Sequence, residues 1–416
     1  MPLKVAFHTF GCKLNQVETE AVAEMFAAEG FEIGDEREAD LFFVNTCAVT
    51  GKAEAKSRRF LRKMAEKYPG RVIAAGCYAQ AKPQEVASLA EMKLVLGTAE
   101  KSQAVKLLED ASGMKIHVAD KPAGHFVPLS GRRFRSRAFV KIQDGCDHGC
   151  TFCIVPVLRG SSVSLSADEV VCRVKEEVSG SSTEVVLTGV DIGSYRDGAT
   201  DLSRLLEKLI ALPELVRIRL SSIEPPCVTG ELIDICAGSD KICRHFHLPL
   251  QAGSDKILRL MGRGYTRREY LELTESISGK MPNARIGADV VTGFPGEEDA
   301  DFEHTYELIK QSPLTHIHVF PFSVRPGTAF SDKDDIVPHS VKSDRAERLR
   351  QVIADKNRSF IRSQLGRIKL VYFEESGSGF TDNYIRVSVP GAKLTGFHSV
   401  KLVSIDPKND KVIGEK

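Results

Sequence analysis

Three cysteines fall within eight residues in the run Gly145-Cys146-Asp147-His148-Gly149-Cys150-Thr151-Phe152-Cys153, separated by three and then two residues. Thiolates spaced in this way on one loop can wrap a single soft metal centre. A 4Fe–4S cluster held by only three cysteines keeps one iron open for a cofactor or a substrate. The competing use is a zinc site with His148 as fourth ligand, which is awkward because His148 lies between two of the cysteines on a tight loop. A second set is dispersed: Cys12 follows the strand-like Val5–Phe10, Cys47 follows Leu41–Val44, and Cys77 follows Ile73–Ala75. In a parallel sheet the C-terminal strand ends share one edge. The three therefore converge although 35 and 30 residues separate them, and a second cluster with an open iron is the simplest use of that geometry. The bland alternative is that strand-end cysteines are core. Cys172, Cys227, Cys236 and Cys243 read as packing residues.

The elements that must position these groups are legible from period and punctuation. Strand-like Lys4–Phe10, helical Glu18–Glu29, the apolar run Leu41–Val44, helical Lys52–Lys67 and strand-like Arg71–Ala75 give a β-α-β-α-β order. That order implies a doubly wound parallel sheet. Residues 111–135, with Gly113, Pro122, Gly124, Pro128 and Gly131, read as an interdomain linker. Alternation then resumes, with strands expected at Phe139–Ile142, Glu184–Leu187, Arg217–Leu220, His245–Leu248, Arg285–Val291 and His316–Phe320. Such β/α units suggest a partial (β/α)6 barrel with its chemistry at the C-terminal strand ends. A long charged helix, about Val341 to Leu365, leads to a tail whose strand-like runs Lys369–Glu374, Tyr384–Val389 and Val400–Ile405 fit a small all-β barrel. The expected division is 1–125, 132–355 and 356–416.

The 416 residues carry a formal net charge of +1, so no global field draws in a polyanion, and nucleic-acid contact requires local basic patches. The densest is Arg132, Arg133, Arg135 and Arg137 with Phe134 interleaved, which offers charge and a stacking surface; Lys369, Tyr384 and Arg386 are weaker candidates. No apolar run spans a bilayer and no signal peptide is evident, so a cytoplasmic protein without a membrane partner is expected. Ten cysteines in a reducing compartment argue for metal ligation or burial rather than disulfides.

The Cys146–Cys153 run, with Phe152 before its last cysteine, resembles the hallmark of the radical S-adenosylmethionine (SAM) superfamily. The resemblance implies that the open iron chelates SAM and that an electron splits SAM to methionine and a 5′-deoxyadenosyl radical. Further blocks in one order are similar to the methylthiotransferase family: Thr9-Phe10-Gly11-Cys12-Lys13-Leu14-Asn15-Gln16, Asn45-Thr46-Cys47-Ala48-Val49-Thr50, Ala74-Ala75-Gly76-Cys77, His247-Leu248-Pro249-Leu250-Gln251 and Phe322-Ser323-Val324-Arg325-Pro326-Gly327-Thr328. Ala252 departs from the Ser more usual after that Gln.

The resemblance implies an N-terminal cluster domain, a radical SAM barrel and a C-terminal TRAM-like RNA-binding barrel. It also implies two 4Fe–4S clusters on Cys12, Cys47, Cys77 and on Cys146, Cys150, Cys153, with SAM as cosubstrate, a flavodoxin-type electron donor, a sulfur donor and transfer RNA as substrate. Asn45 to Thr50 followed by Ala53-Glu54-Ala55-Lys56-Ser57-Arg58 resembles the MtaB type, which acts on N6-threonylcarbamoyladenosine. The isopentenyladenosine type and the type acting on a ribosomal-protein aspartate are the alternatives. SAM is expected across the barrel rim, near Gly189, Asp191, Ser222, Glu224 and Gln251. Arg263 and Arg325 are candidates for the threonyl carboxylate.

Overall fold

The computed structural model describes residues 2–110, 113–122, 124, 126, 136–179, 183–331, 337–406 and 411–416. The chain divides into two compact units, residues 1–134 with 143–163 and 323–331, and residues 135–142 with 164–322 and 332–416. The loop of three cysteines is therefore folded with the N-terminal sheet, whereas the sequence alone groups it with the barrel.

The first unit is built on a six-stranded parallel sheet: β1 (Lys4–Thr9), β2 (Glu32–Ile33), β3 (Leu41–Thr46), β4 (Val72–Gly76), β5 (Leu94–Leu96) and β6 (Lys115–His117), in the order β2-β1-β3-β4-β5-β6. Residues of β3 and β4 are buried throughout, as a strand covered on both faces requires, and for that reason they read as continuous apolar runs. Helix α1 (Lys13–Ala28) covers one face, with Val22 and Phe26 packed on Val5 and Phe43. Helix α2 (Gly51–Lys67) covers the other, with Leu61 and Met64 on Phe42 and Val44. Thr50 caps α2 by accepting the Ala53 amide at 3.2 Å. β6 corrects the linker expectation: Lys115–His117 pairs in parallel with Leu94–Leu96 and closes the sheet.

The second unit carries strands Ala138–Lys141, Glu184–Thr188 and Arg217–Leu220 in one parallel sheet, and His245–His247, Arg285–Thr292 and Leu314–Pro321 in another. Parallel bridges Ile218 to Ile242 and Ser222 to His247 join the two. The expected run of six β/α strands is present. The helix His339–Gln364 leads to a closed five-stranded barrel of Ile368–Phe373, Ser378–Phe380, Arg386–Ser388, Gly396–Ile405 and Val412–Glu415. Its core is Val371, Phe373, Val387, Val400, Leu402 and Val412.

This barrel packs at the N-terminal ends of the parallel strands. Arg217 donates to the Leu370 and Phe380 carbonyls at 2.9 Å each, and Arg219 donates to the Thr381 carbonyl at 2.8 Å. The rings of Phe397 and Tyr384 cover these guanidiniums at 4.8 and 4.5 Å. All sit opposite the strand ends where a β/α fold places its chemistry. Among the described residues no helix is long and apolar enough to cross a membrane.

Candidate active site

Cys12, Cys47 and Cys77 each follow a strand of the N-terminal sheet, and the fold brings them to one edge. Cys12 sits at the N-terminus of α1, Cys47 directly after β3, and Cys77 at the start of the short helix α3 (Cys77–Ala81). The thiols are close enough for their charges to act on one another. Burial pushes Cys47 up to about 12, with the Cys77 charge adding to it. Burial also pushes Cys77 up, while Arg159 and Lys101 act in the other direction. Metal bound here must therefore displace protons from the buried thiols.

Two glycine-containing turns leave the space that this edge needs. A Cβ on Gly11 would lie 2.9 Å from the Cys47 sulfur. At Gly76 φ is +91°, and a Cβ would lie 2.2 Å from Asn45 Oδ1 and 2.8 Å from the Thr46 carbonyl. Gly76→Ala is thus expected to destabilise the first unit by at least about 2 kcal/mol and to lower its iron content. Urea unfolding with an iron assay checks both, and wild-type values would refute the strain argument.

The second triad lies on a loop closed at its base. Gln143 Nε2 donates to the Gly145 carbonyl at 2.7 Å, the Cys146 amide donates to the Gly160 carbonyl at 3.1 Å, and the Ser162 amide donates to Asp147 at 3.1 Å. Within the loop the Cys153 amide donates to the Cys150 carbonyl at 3.1 Å. All three cysteines are half-buried, so a ligand can reach them. Both donor sets, three soft sulfurs with no fourth protein ligand needed, fit an open 4Fe–4S cluster.

The expected SAM residues lie where the second unit's strands end. Gly189 follows Glu184–Thr188, and Ser222 bridges to His247. Gln251 has φ +64° and exchanges backbone hydrogen bonds with the Asp289–Val291 strand at 2.8 Å. Asp191 is buried. Its carboxylate accepts from the Gly193 and Glu224 amides at 3.1 Å and from Ser194 Oγ at 2.5 Å, and so ties two rim loops together. Glu224 is ion-paired with Arg263. The Arg263 fork thus holds the Glu224 carboxylate. Arg325, in the first unit, is likewise engaged, with Glu54 at 3.0 Å and the Ala48 carbonyl at 3.0 Å.

Strand periodicity is the signal for two histidines that the motif blocks do not include. His316 and His318, two apart on one strand, face each other at 3.3 Å. His247 pairs with Asp289 at 3.2 Å on the neighbouring strands. Burial lowers His316 to about 3, so it is neutral.

Of the basic cluster, Arg132, Arg133, Phe134 and Arg135 lie outside the described residues. Arg137 is corrected from an RNA contact to a structural one: it donates to Glu374 at 2.7 Å, reaches Glu184 at 3.4 Å and lies over the Phe380 ring. Lys369 is paired with Asp382, and Tyr384 stacks on Phe380. Cys236 and Cys243 are buried as expected, but Cys172 is exposed, 3.6 Å from Glu176.

Comparison with known proteins places this architecture. Residues 140–309 match the radical SAM superfamily and residues 4–97 match the uncharacterized protein family UPF0004. The fold resembles the radical SAM methyltransferase TsrM of Kitasatospora setae with a TM-score of 0.60, at 14% identity over 80% of this chain and 77% of that one. The protein is a radical SAM enzyme. The threonylcarbamoyladenosine tRNA methylthiotransferase MtaB of Aquifex aeolicus is 37% identical over 95% of this chain and 98% of its own. The Bacillus subtilis MtaB is 34% identical over 94% and 91%. A tRNA-2-methylthio-N(6)-dimethylallyladenosine synthase of Dictyoglomus thermophilum is 35% identical over 90% of each chain. The chain belongs to the family of radical SAM tRNA methylthiotransferases, enzymes that use SAM and two 4Fe–4S clusters.

Proposed function

We propose that this enzyme attaches a methylthio group to C2 of N6-threonylcarbamoyladenosine next to the anticodon of transfer RNA. The observation that carries the substrate is the near end-to-end similarity to relatives bearing the MtaB name, at up to 37% identity. What supports the chemistry is the pair of cysteine triads, each of which would leave one iron of a bound 4Fe–4S cluster open. When bound, the clusters and SAM supply a carbon-centred radical and a sulfur that can be methylated. The chain's own part is to hold and enclose them. Cys146, Cys150 and Cys153 ligate one cluster, and Cys12, Cys47 and Cys77 the other. Gly189, Ser222 and Gln251 line the rim for SAM, with Asp191 and Glu224 shaping it. An adenine C2–H offers no acidic proton or leaving group, so general acid–base groups alone have little purchase. A flavodoxin-type reductant and a sulfur donor are the further partners required. Arg132, Arg133, Phe134 and Arg135 contact the RNA.

Nucleoside mass spectrometry on transfer RNA from cells lacking the gene tests this reading. The 2-methylthio-N6-threonylcarbamoyl nucleoside should vanish and return with the wild-type gene but not with Cys150→Ala. If that nucleoside persists while the 2-methylthio-isopentenyl nucleoside is lost, the substrate is the one named for the Dictyoglomus relative. Loss of neither points to a ribosomal-protein aspartate, or to an RNA-binding iron–sulfur sensor if reduced protein also leaves SAM uncleaved.

A further inference from the structure

Arg159 ends the five-residue helix Val155–Arg159 that follows the loop of three cysteines, and it is only 4% exposed. A charged side chain at that depth needs partners on every side, and each partner belongs to one of the two cysteine sets. Nη1 donates to Asp144 at 3.0 Å and to Glu18 at 2.8 Å. Nη2 donates to Glu18 at 3.1 Å and to Asn15 Oδ1 at 2.8 Å, and lies 4.0 Å from the Cys77 sulfur. Asp144 stands two residues before Cys146 and accepts the Gly145 amide at 2.8 Å. Asn15 and Glu18 stand on the first turns of α1, just after Cys12. Asn15 also donates to the Phe10 and Thr46 carbonyls at 2.8 and 3.0 Å, next to the chain leading into Cys12 and Cys47. Lys101, fully buried, completes the group by pairing with Glu18.

We infer that Arg159 is a positioning residue that joins the base of the Cys146–Cys153 loop to the Cys12/Cys47/Cys77 pocket, setting the spacing of the two clusters and placing a cationic donor beside the Cys77 sulfur. The planar fork serves both ends at once, which a point charge cannot do. Glu18 and Asp144 balance Arg159 and Lys101 in number, so the network is neutral without the thiolates. What it adds to the pocket is orientation, with the guanidinium turned toward sulfur. Hydrogen bonds and positive charge at a ligating sulfur raise an iron–sulfur reduction potential. Rigid attachment of the loop to the pocket holds the two sites at one distance, which radical transfer between bound groups requires.

The inference rests on the cluster half of the proposed function, so the reconstituted wild-type chain is measured first. It should hold roughly eight irons and, once chemically reduced, show two paramagnetic centres with dipolar coupling between them; absence of two centres after reduction overturns both readings. Arg159→Gln should keep its iron, shift the Cys77-side centre to a more negative potential and change the coupling. Arg159→Lys should bring the potential back toward wild type but leave the coupling altered. Unchanged potential and coupling in Arg159→Gln overturn the inference. Where Arg159 variants do not accumulate, Asp144→Ala decides. It removes the acceptor that holds the loop side of the fork, so it should alter the coupling; wild-type coupling in that variant overturns the inference equally.

Discussion

Cys77→Ser should remove about half of the iron, from roughly eight to roughly four atoms per chain, and reduce methylthio transfer at least about 10³-fold, while SAM is still cleaved. The asymmetry follows from the layout of the thiols. Cys77 starts α3 at the sheet edge with Cys12 and Cys47, whereas Cys146, Cys150 and Cys153 sit on a separate loop with its own hydrogen-bonded base. Serine keeps the shape of the buried site but offers a hard hydroxyl in place of a soft thiolate. The mirror variant Cys150→Ala should stop both SAM cleavage and transfer. Iron assay, 5′-deoxyadenosine release and product nucleoside, measured on both variants, give the answer. Wild-type transfer by Cys77→Ser would sink the two-cluster assignment, and equal loss of SAM cleavage in both variants would sink the division of labour.

Glu184→Gln should lower the stability of the second unit by about 3–5 kcal/mol, or roughly 10 °C in Tm. The Glu184 carboxylate is fully buried and bonded to Arg219 at 2.8 Å and Arg217 at 2.7 Å, with Arg137 at 3.4 Å. Its removal leaves three guanidiniums crowded in a site that water does not reach. Those arginines also grip the carbonyls of Leu370, Phe380 and Thr381, so the C-terminal barrel should loosen with them. Burial alone would raise the Glu184 pKa, but Arg219 and Arg217, then Arg137, overcome it and hold the carboxyl well below the usual range. A depressed folded-state pKa stabilises above the unfolded value near 4.5 and loses that contribution as pH falls toward the folded value. Wild-type stability should therefore fall below about pH 4.5 more steeply than that of Glu184→Gln. Urea titrations across pH 3 to 7 compare the slopes, and parallel curves would show that Glu184 is not the acid-sensitive group.

Particular elements show why some structure was legible and some was not. β3 and β4 were plain because burial on both faces forces an unbroken apolar run. Leu94–Leu96 is too short to establish a period, and Lys115–His117 is half-buried with polar ends in a stretch rich in glycine and proline. That sheet edge is defined by pairing between strands, which local composition does not record. Arg137 read as one of a run of RNA-contacting arginines, yet it lies against Glu184, 47 residues along the chain, and Glu374, 237 residues along. Asp191 and Glu224 sit at the strand ends as expected, but what their carboxylates do depends on neighbours from other loops.

The sequence by itself was enough to group the cysteines into two triads, because three thiols within eight residues meet through local chain geometry and three strand-end thiols meet through the rules of parallel sheets; the reaction class came from the resemblance of its motif blocks. Only the tertiary structure decided which charges surround them. Arg159 and Glu18 are 141 residues apart, and their pairing at 2.8 Å comes from folding the cysteine loop against α1. Ion-pair partners are selected by three-dimensional proximity and the cost of burying a lone charge, and neither is written in the spacing of residues along the chain.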